Sequence, residues 1–321
     1  MQAARAPLVY FVILNWNQQQ LTLDCLDSLA KVEYPNLEVI LVDNGSTDGS
    51  AEAIRSRYPS VIVIENGENL GFSEGNNVGM RHAPAHGADY VLLLNNDTVV
   101  DPGFVAEMIA VAEADPSCGI VGPKMYYHDE PNVIWCAGNA IAWSSGCTSR
   151  LQAEQQDMHP EVEPPREVDF ITACAMAVKR SVIDEIGLLD PRYFIYYDET
   201  DWCVRAAAKG FKVVYVPSSR IWHKVSAAMG TASPATDYYM TRDGLLFFST
   251  RAPGISRVLA PARIVLRTIR TIAAWTLRPR YRSDPVFRRK RDANLLALRD
   301  FFLRRFGKMG PDVAAVCYGE R

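Results

Sequence analysis

Four segments of the chain carry the side chains best suited to chemistry, and each follows an apolar run. Asn15-Trp16-Asn17 comes after residues 8–14, and Asp43-Asn44-Gly45-Ser46-Thr47-Asp48-Gly49 after residues 37–42. Glu68-Asn69-Leu70-Gly71-Phe72 follows residues 61–64, and Asn95-Asn96-Asp97-Thr98 follows residues 90–94. Asx turns account for any one such cluster, but four in succession point to a ligand site. A buried Asp closing a strand, as Asp43 is expected to do, can accept from a nucleobase imide N–H. Asp97, flanked by amide side chains, can hold a hard cation against a diphosphate, because Mg²⁺ takes few protein ligands and keeps phosphate and water oxygens. Further along, Tyr196-Tyr197-Asp198-Glu199-Thr200-Asp201-Trp202 gathers three carboxylates at the start of a helical pattern. Such acids suit a helix N-terminus, or they supply a general base held near a metal. His223, in Ile221-Trp222-His223-Lys224, follows another strand and is a candidate metal ligand.

The elements that must position these groups read as an α/β fold. The four apolar runs are continuous and rich in Val, Ile and Leu, as strands buried on both faces must be. Helical patterns at about 19–30, 50–57 and 74–82 separate them, which predicts a mostly parallel, Rossmann-like sheet. Ligands bind such sheets at the carboxyl ends of the strands, where the polar clusters fall. Asp101 and Pro102 announce a further helix to about 114, with a short strand at 119–121. Residues 149–167, polar, acidic and containing three prolines, are expected to form a surface loop. A second set follows: a strand near 170–178, helices at 181–186 and 199–208, and a strand at 212–216. The tail reads as two helices. In the first, from residue 261, Arg263, Arg267 and Arg270 share one face and Val265, Leu266, Ile269, Ile272 and Ala273 the other. The second starts after Asp284-Pro285 and runs to about 306.

Composition is that of an ordinary globular protein, 48% hydrophobic and 22% charged. The net charge of −3 conceals an asymmetry: residues 251–321 hold 17 basic and 5 acidic groups, the other 250 residues 17 and 32. An acidic body with a basic tail suggests an anionic surface as partner for the tail. Seven cysteines without a CxxC pair read as reduced thiols of a cytosolic protein. Residues 1–7 lack the apolar stretch of a secretory signal, and arginines interrupt 258–277, so it cannot cross a bilayer cheaply. Neither GxGxxG after the first strand nor GxxxxGK[ST] occurs, which argues against dinucleotide oxidoreductases and P-loop NTPases. A sugar-nucleotidyltransferase would need basic residues near 15–18, and there are none. The tail lacks the aromatic interleaving of a nucleic-acid module.

The strand-end motifs, with Leu93-Leu94-Asn95-Asn96-Asp97, resemble family 2 glycosyltransferases. Thr172-Ala173-Cys174-Ala175-Met176, Gly187-Leu188-Leu189-Asp190, the 197–202 segment and His223 are similar to its rhamnosyltransferase and galactofuranosyltransferase-like branch. The match covers about residues 7–250. It implies a GT-A fold with an acceptor-side subregion and a C-terminal helical tail, a nucleotide-diphosphate sugar donor, and inversion at the anomeric carbon. The implied organisation is a catalytic domain at 1–250, its nucleotide-sugar half at 1–123 and its acceptor half at 124–250, then a basic tail at 251–321. By the resemblance, Asp43 binds the base and Asn15, Asn17 and Asn69 surround the nucleotide, with Asn44, Gly71, Phe72, Asn77, Asn95 and Asn96 on the same side. Asn95-Asn96-Asp97 stands where the family has DxD, leaving Asp97 and His223 as ligands of Mg²⁺ or Mn²⁺. Aligning Asp201-Trp202-Cys203-Val204-Arg205 with the family's Asp-Leu-Cys-Leu-Arg puts Glu199 at the catalytic base, with Asp198 second and Asp201 beside them.

The implied reaction is a single displacement onto a glycan or lipid-linked acceptor in cell-surface polysaccharide synthesis, with dTDP-rhamnose the leading donor and a UDP-hexose the alternative. Trp143, Thr172, Ala173, Cys174 and Trp202 are expected on the acceptor side, though apolar side chains there equally suit a core. Lipid-linked acceptors and the basic tail together suggest a cytoplasmic protein held peripherally on the inner face of the plasma membrane. A catalytically silent carbohydrate-binding or scaffold protein is the competing reading.

Overall fold

The computed structural model describes residues 5–157, 163–225 and 233–319. The elements are β1 (Val9–Asn15), α1 (Gln19–Leu29), β2 (Leu37–Asp43), α2 (Ser50–Arg57), β3 (Ile62–Glu65), α3 (Gly71–Ala85), β4 (Tyr90–Asn95), β5 (Thr98–Val100), α4 (Phe104–Ala114), β6 (Cys118–Tyr127), β7 (Ile134–Cys136), β8 (Asn139–Ala142), β9 (Cys147–Arg150), β10 (Arg166–Glu167), β11 (Ala175–Lys179), α5 (Arg180–Ile186), α6 (Asp198–Ala207) and β12 (Lys212–His223). Helices α7 (Pro234–Arg251), α8 (Ser256–Leu277), α9 (Pro279–Arg282), α10 (Pro285–Phe302) and α11 (Pro311–Tyr318) complete the chain. The chain divides into two compact units. One comprises residues 1–140, 150–189 and 202–225; the other comprises 141–149, 190–201 and 226–321.

The first unit is built on one mixed sheet in the order β10-β12-β6-β11-β4-β1-β2-β3, with β5 on β12 and β7 on β6. The block β4-β1-β2-β3 is parallel throughout, and β11 runs antiparallel between β4 and β6. Every residue of β1 except Leu14 is buried, as a central strand covered on both faces requires. Helix α3 lies close on this strand because it presents glycine: a Cβ on Gly79 would come within 2.5 Å of Val12 Cγ1. The core joins Val9, Phe11, Ile13, Leu92 and Leu94 of the sheet to Leu26 of α1 and to Phe104 and Met108 of α4.

Within the expected 149–167 loop, β9 ends at Arg150 and β10 occupies Arg166–Glu167, while residues 158–162 lie outside the described residues. So do residues 1–4 of the N-terminal segment. The expected short strand at 119–121 is the ten-residue β6, and the strand expected to end at 216 runs on to His223 across a register shift between Val216 and Arg220.

The second unit is helical. Ala235, Tyr238 and Tyr239 of α7 pack with Ala293 and Ala297 of α10 and Val313 and Cys317 of α11, and Phe194, Ile195 and Tyr196 close over them. Helix α7, unannounced in the sequence, starts at a Ser233 cap whose side chain accepts from Thr236 N, with Pro234 at its first turn. Six of the seven cysteines are buried and Cys147 is partly exposed.

Candidate active site

In the first unit, the ends of β1, β2 and β4 are joined by a network of short polar side chains. Asn15, fully buried, donates from Nδ2 to Asp43 Oδ1 at 2.9 Å and Ser46 Oγ at 3.0 Å, and its Oδ1 accepts from Thr22 Oγ1 at 2.8 Å. Asp43 Oδ2 accepts from Ser46 N at 2.9 Å. Each Asp43 oxygen thus keeps a lone pair for another donor. Asn17, at φ 52°, accepts at Oδ1 from Thr47 N at 2.8 Å, and its own N–H donates to Ser46 Oγ at 2.9 Å. Asn96 donates to Thr22 Oγ1 at 2.9 Å, and the Asn95 N–H donates to Cys174 O at 2.9 Å.

Asn44 ties β2 to the loop before α3. It donates to Asn69 Oδ1 and Gly71 O, both at 3.1 Å, and accepts from Asn66 Nδ2 at 3.0 Å and Leu70 N at 3.1 Å. Asn69 Oδ1 also accepts from Gly71 N at 2.9 Å, opening α3 beside Phe72. The close approach here needs glycine at Gly45, where φ is 78° and a Cβ would meet the Glu68 backbone at 2.7 Å. Asn77 faces elsewhere: it exchanges hydrogen bonds with the Leu189 backbone at 2.9 and 3.1 Å.

Asp97 follows β4, and His223 is the last residue of β12. Antiparallel pairing of β5 with β12 sets His223 opposite Thr98, and Lys224 N donates to Asp97 O at 2.9 Å. Asp97 Oδ1 lies 3.1 Å from His223 Nε2, both side chains being buried. The contact is misaligned for a hydrogen bond, so Asp97 Oδ1 has no donor and His223 Nδ1 no partner among the described residues. Buried polar atoms left unpaired are costly and call for a further group. A divalent cation meets that need, since it accepts a carboxylate oxygen and an imidazole nitrogen together. No cluster of three or more ligating side chains exists among the described residues. Trp135 sets its ring against His223, centroids 4.5 Å apart at 69°, and Arg150 lies 5.1 Å above Trp135.

Thr172 of this unit is half-buried, whereas Ala173, Cys174 and Trp202 are buried. Trp202 is wholly enclosed and donates from Nε1 to Gly187 O at 2.9 Å. Burial pushes the Cys174 thiol well up from its ordinary range, so it is inert as a nucleophile.

In the second unit, Tyr196 and Tyr197 hold φ of 70° and 62° just before the carboxylates, a left-handed pair uncommon for aromatic residues. Tyr197 stacks on Phe247 at 5.5 Å, and Trp143 stacks on the same ring at 5.7 Å. Glu199 is partly exposed. Burial first, then the charge of Asp198 and a hydrogen bond with it, push the Glu199 carboxyl well above the usual carboxylate range. Asp201 is fully buried and accepts from Arg251 Nε at 2.6 Å and Tyr193 OH at 3.4 Å. Beneath them, buried Arg242 and Asp243 pair at 2.7 Å, and Arg242 also donates to Tyr238 OH at 3.2 Å. Burial raises Asp243 to about 7, Arg242 opposing and Asp198 adding to the rise.

Sequence reasoning passed over Thr22, Ser46, Trp135 and the Arg242–Asp243 pair. Ser46 was open to reading, three residues after Asp43 in an Asx-type turn. Arg242-Asp243, entering the apolar stretch Leu245-Leu246-Phe247-Phe248, marks a buried pair. Nothing local points to Trp135.

A mixed sheet with a parallel central block, acidic and amide-rich strand ends, and an Asp and a His brought together where β5 pairs with β12 define a GT-A glycosyltransferase. The model of the family described as "Glycosyltransferase like family 2" matches residues 6–242, and the chain belongs to that family. It is 28% identical over 262 residues to an N-acetylglucosaminyl-diphospho-decaprenol L-rhamnosyltransferase of Mycobacterium tuberculosis, covering 75% of this chain and 83% of the relative. It is 21% identical to the dTDP-rhamnosyl transferase RfbF of Shigella flexneri, over 82% of this chain and 86% of that one. Among solved structures, the mannosyltransferase PcManGT of Pyrobaculum calidifontis, in complex with GDP-Man and Mn²⁺, superposes with a TM-score of 0.58 at 17% identity, covering 94% of this chain and 89% of that one.

Proposed function

We propose that this glycosyltransferase moves rhamnose from dTDP-rhamnose, with inversion, to a glycan or lipid-linked saccharide in cell-surface polysaccharide synthesis. The observation that carries the reading is the buried Asp97–His223 pair with its undonated carboxylate oxygen. The names of the mycobacterial and Shigella relatives support rhamnose, dTDP and a lipid-linked acceptor.

In the first unit, Asn15, Asn17, Asp43 and Asn69 hold the nucleotide, Asp43 accepting from the imide N–H of thymine through a remaining lone pair. Asn44, Gly71, Phe72, Asn95 and Asn96 support that side, whereas Asn77 is committed to the Leu189 backbone. Asp97 and His223 hold Mg²⁺ or Mn²⁺, which when bound offsets charge developing on the departing diphosphate. Thr172 offers surface to an acceptor, with Ala173, Cys174 and Trp202 behind it. In the second unit, Glu199 takes the proton of the acceptor hydroxyl as that oxygen attacks the anomeric carbon. Asp198 raises the proton affinity of Glu199, which strengthens it as a base once deprotonated. Asp201, tied to Arg251, fixes the first turn of α6, and Trp143 offers aromatic surface to a sugar. A lipid-linked acceptor places the protein peripherally on the inner face of the plasma membrane.

The test is a thermal-shift panel of dTDP, UDP and GDP with their sugars, each with Mg²⁺, Mn²⁺ or EDTA, followed by transfer from the ligand that binds. The reading expects a metal-dependent shift with dTDP and transfer from dTDP-rhamnose. A shift with UDP alone would move the donor to a UDP-hexose. No nucleotide shift at all would favour a silent carbohydrate-binding protein.

A further inference from the structure

Helix α8 carries apolar side chains on two opposite faces. Ala260, Ile264 and Thr268 are its buried residues. Ala260 and Ile264 pack at the 144–147 turn, where a Cβ on Gly146 would meet Ile264 Cγ1 at 2.9 Å. On the far side, Ile255 just before the helix and Val258, Leu259, Leu266, Ile269 and Leu277 within it are exposed, from 38% for Leu259 to 75% for Leu277. At about 100° per residue these six form one stripe about 100° wide, centred nearly opposite the buried face. Ala262 and Ala273 fall in the same stripe and are exposed too. Scattered exposed apolar residues need no explanation, but a continuous stripe does.

The arginines expected to face an anionic surface are divided in use. Arg263 donates to Ser144 O, and Arg267 donates to Gly146 O at 3.2 Å and Cys147 Sγ at 3.4 Å. They fasten the helix to its own unit. Arg270 borders the apolar stripe, and Arg278, Arg280 and Arg282 follow it, all exposed. No described helix is long and apolar enough to cross a membrane.

We infer that α8 lies in the plane of an anionic bilayer, its outer apolar stripe sunk between the headgroups and Arg270, Arg278, Arg280 and Arg282 at the phosphate level. Charge complementarity selects this occupant, because a stripe bordered by arginine in a segment with 17 basic and 5 acidic groups matches negative lipid. In this orientation apolar side chains enter the membrane, and part of the arginine face is committed to the protein. The inference deepens the proposed lipid-linked acceptor, yet vesicle binding is read without any transfer, so either can fail while the other stands.

The experiment is flotation of the full chain with vesicles of phosphatidylcholine alone or with a third phosphatidylglycerol. Binding is expected on the mixed vesicles and at least about tenfold weaker on the neutral ones. L266E/I269E should weaken mixed-vesicle binding by at least about tenfold with an unchanged melting curve. If that variant fails to fold, L266A/I269A supplies the same comparison, and R270Q/R278Q should weaken binding to mixed vesicles only. Equal binding to both vesicles, or no loss in folded stripe variants, overturns the inference. So does a concentration-dependent dimer in lipid-free sedimentation that the same substitutions dissolve, because the stripe would then be covered by a second copy.

Discussion

Asp97 Oδ1 and His223 Nε2 stand 3.1 Å apart with no hydrogen bond between them, although the Lys224 N–H donates to the Asp97 carbonyl. The backbone is therefore pinned while one carboxylate oxygen and one ring nitrogen stay unpaired among the described residues, a cost that the proposed cation would relieve.

Asp97→Asn should remove the metal dependence of nucleotide binding. In the parent, a ligand at a hundredfold excess over its Kd adds about 2.7 kcal/mol to stability. EDTA should erase most of that gain with the diphosphate, and the variant should behave in Mg²⁺ as the parent does in EDTA. A thermal shift in the variant that still responds to metal would count against this pair as the ligands.

Glu199→Gln should leave nucleotide binding intact and lower turnover by at least about 10². Steady-state rates beside a thermal-shift titration separate the two effects. Turnover near that of the parent would remove Glu199 from the role of base.

The acid limb of the pH–rate profile belongs to the same carboxyl. Its raised pKa keeps Glu199 protonated to higher pH than a free glutamate, so transfer should climb as pH rises through that value. Asp198→Asn deletes the neighbouring charge and should move the limb to lower pH. A limb that stays in place would show that Asp198 does not act on the base. Linkage gives a second reading: a carboxyl whose folded pKa is raised loses stability as pH rises from its unfolded to its folded value. Glu199→Gln, which cannot ionise, should lose that component of the decline in urea melts.

Arg242 and Asp243 are both buried and bonded. Arg242→Met strands the carboxylate and should cost about 3–5 kcal/mol. Adding Asp243→Leu should recover much of it, because a paired charge buried at such expense is replaceable by apolar volume. Urea denaturation of the two variants measures the difference.

Gly79→Ala pits two effects against each other. Alanine gains about 1 kcal/mol as a helix former, but its Cβ meets Val12 Cγ1 at 2.5 Å, and overpacking costs about 1–3 kcal/mol. A net loss of stability is expected, and a gain would mean that β1 yields easily.

The parallel block was legible because buried strands leave unbroken apolar runs: 37–42 became Leu37–Asp43 and 90–94 became Tyr90–Asn95. Where a charge is buried, the run misleads. Gly122-Pro123 closes the apolar run at 119–121 and Lys124 follows, yet Lys124 is 1% exposed and paired with Asp157 at 2.9 Å, and β6 continues through all three. Helix α3 starts at Gly71 rather than 74 because Asn69 accepts from the Gly71 N–H, a turn signal left out of the periodicity. For the site, residue types and strand-end positions named Asp97 and His223 separately. Their meeting depends on the β5–β12 pairing, which no local pattern announces. The outward apolar face of α8 was illegible for a related reason: periodicity finds the apolar residues without saying which of two such faces is covered.

The distribution of thiols has a practical consequence for labelling chemistry. Burial pushes Cys25 up to about 12 and Cys118 and Cys317 to about 11, and Cys147 is the partly exposed cysteine. A maleimide dye added to the folded protein should therefore attach at Cys147 first, without mutagenesis. Since Arg267 of α8 donates to that sulfur, the dye would report fluorescence changes at this helix in real time.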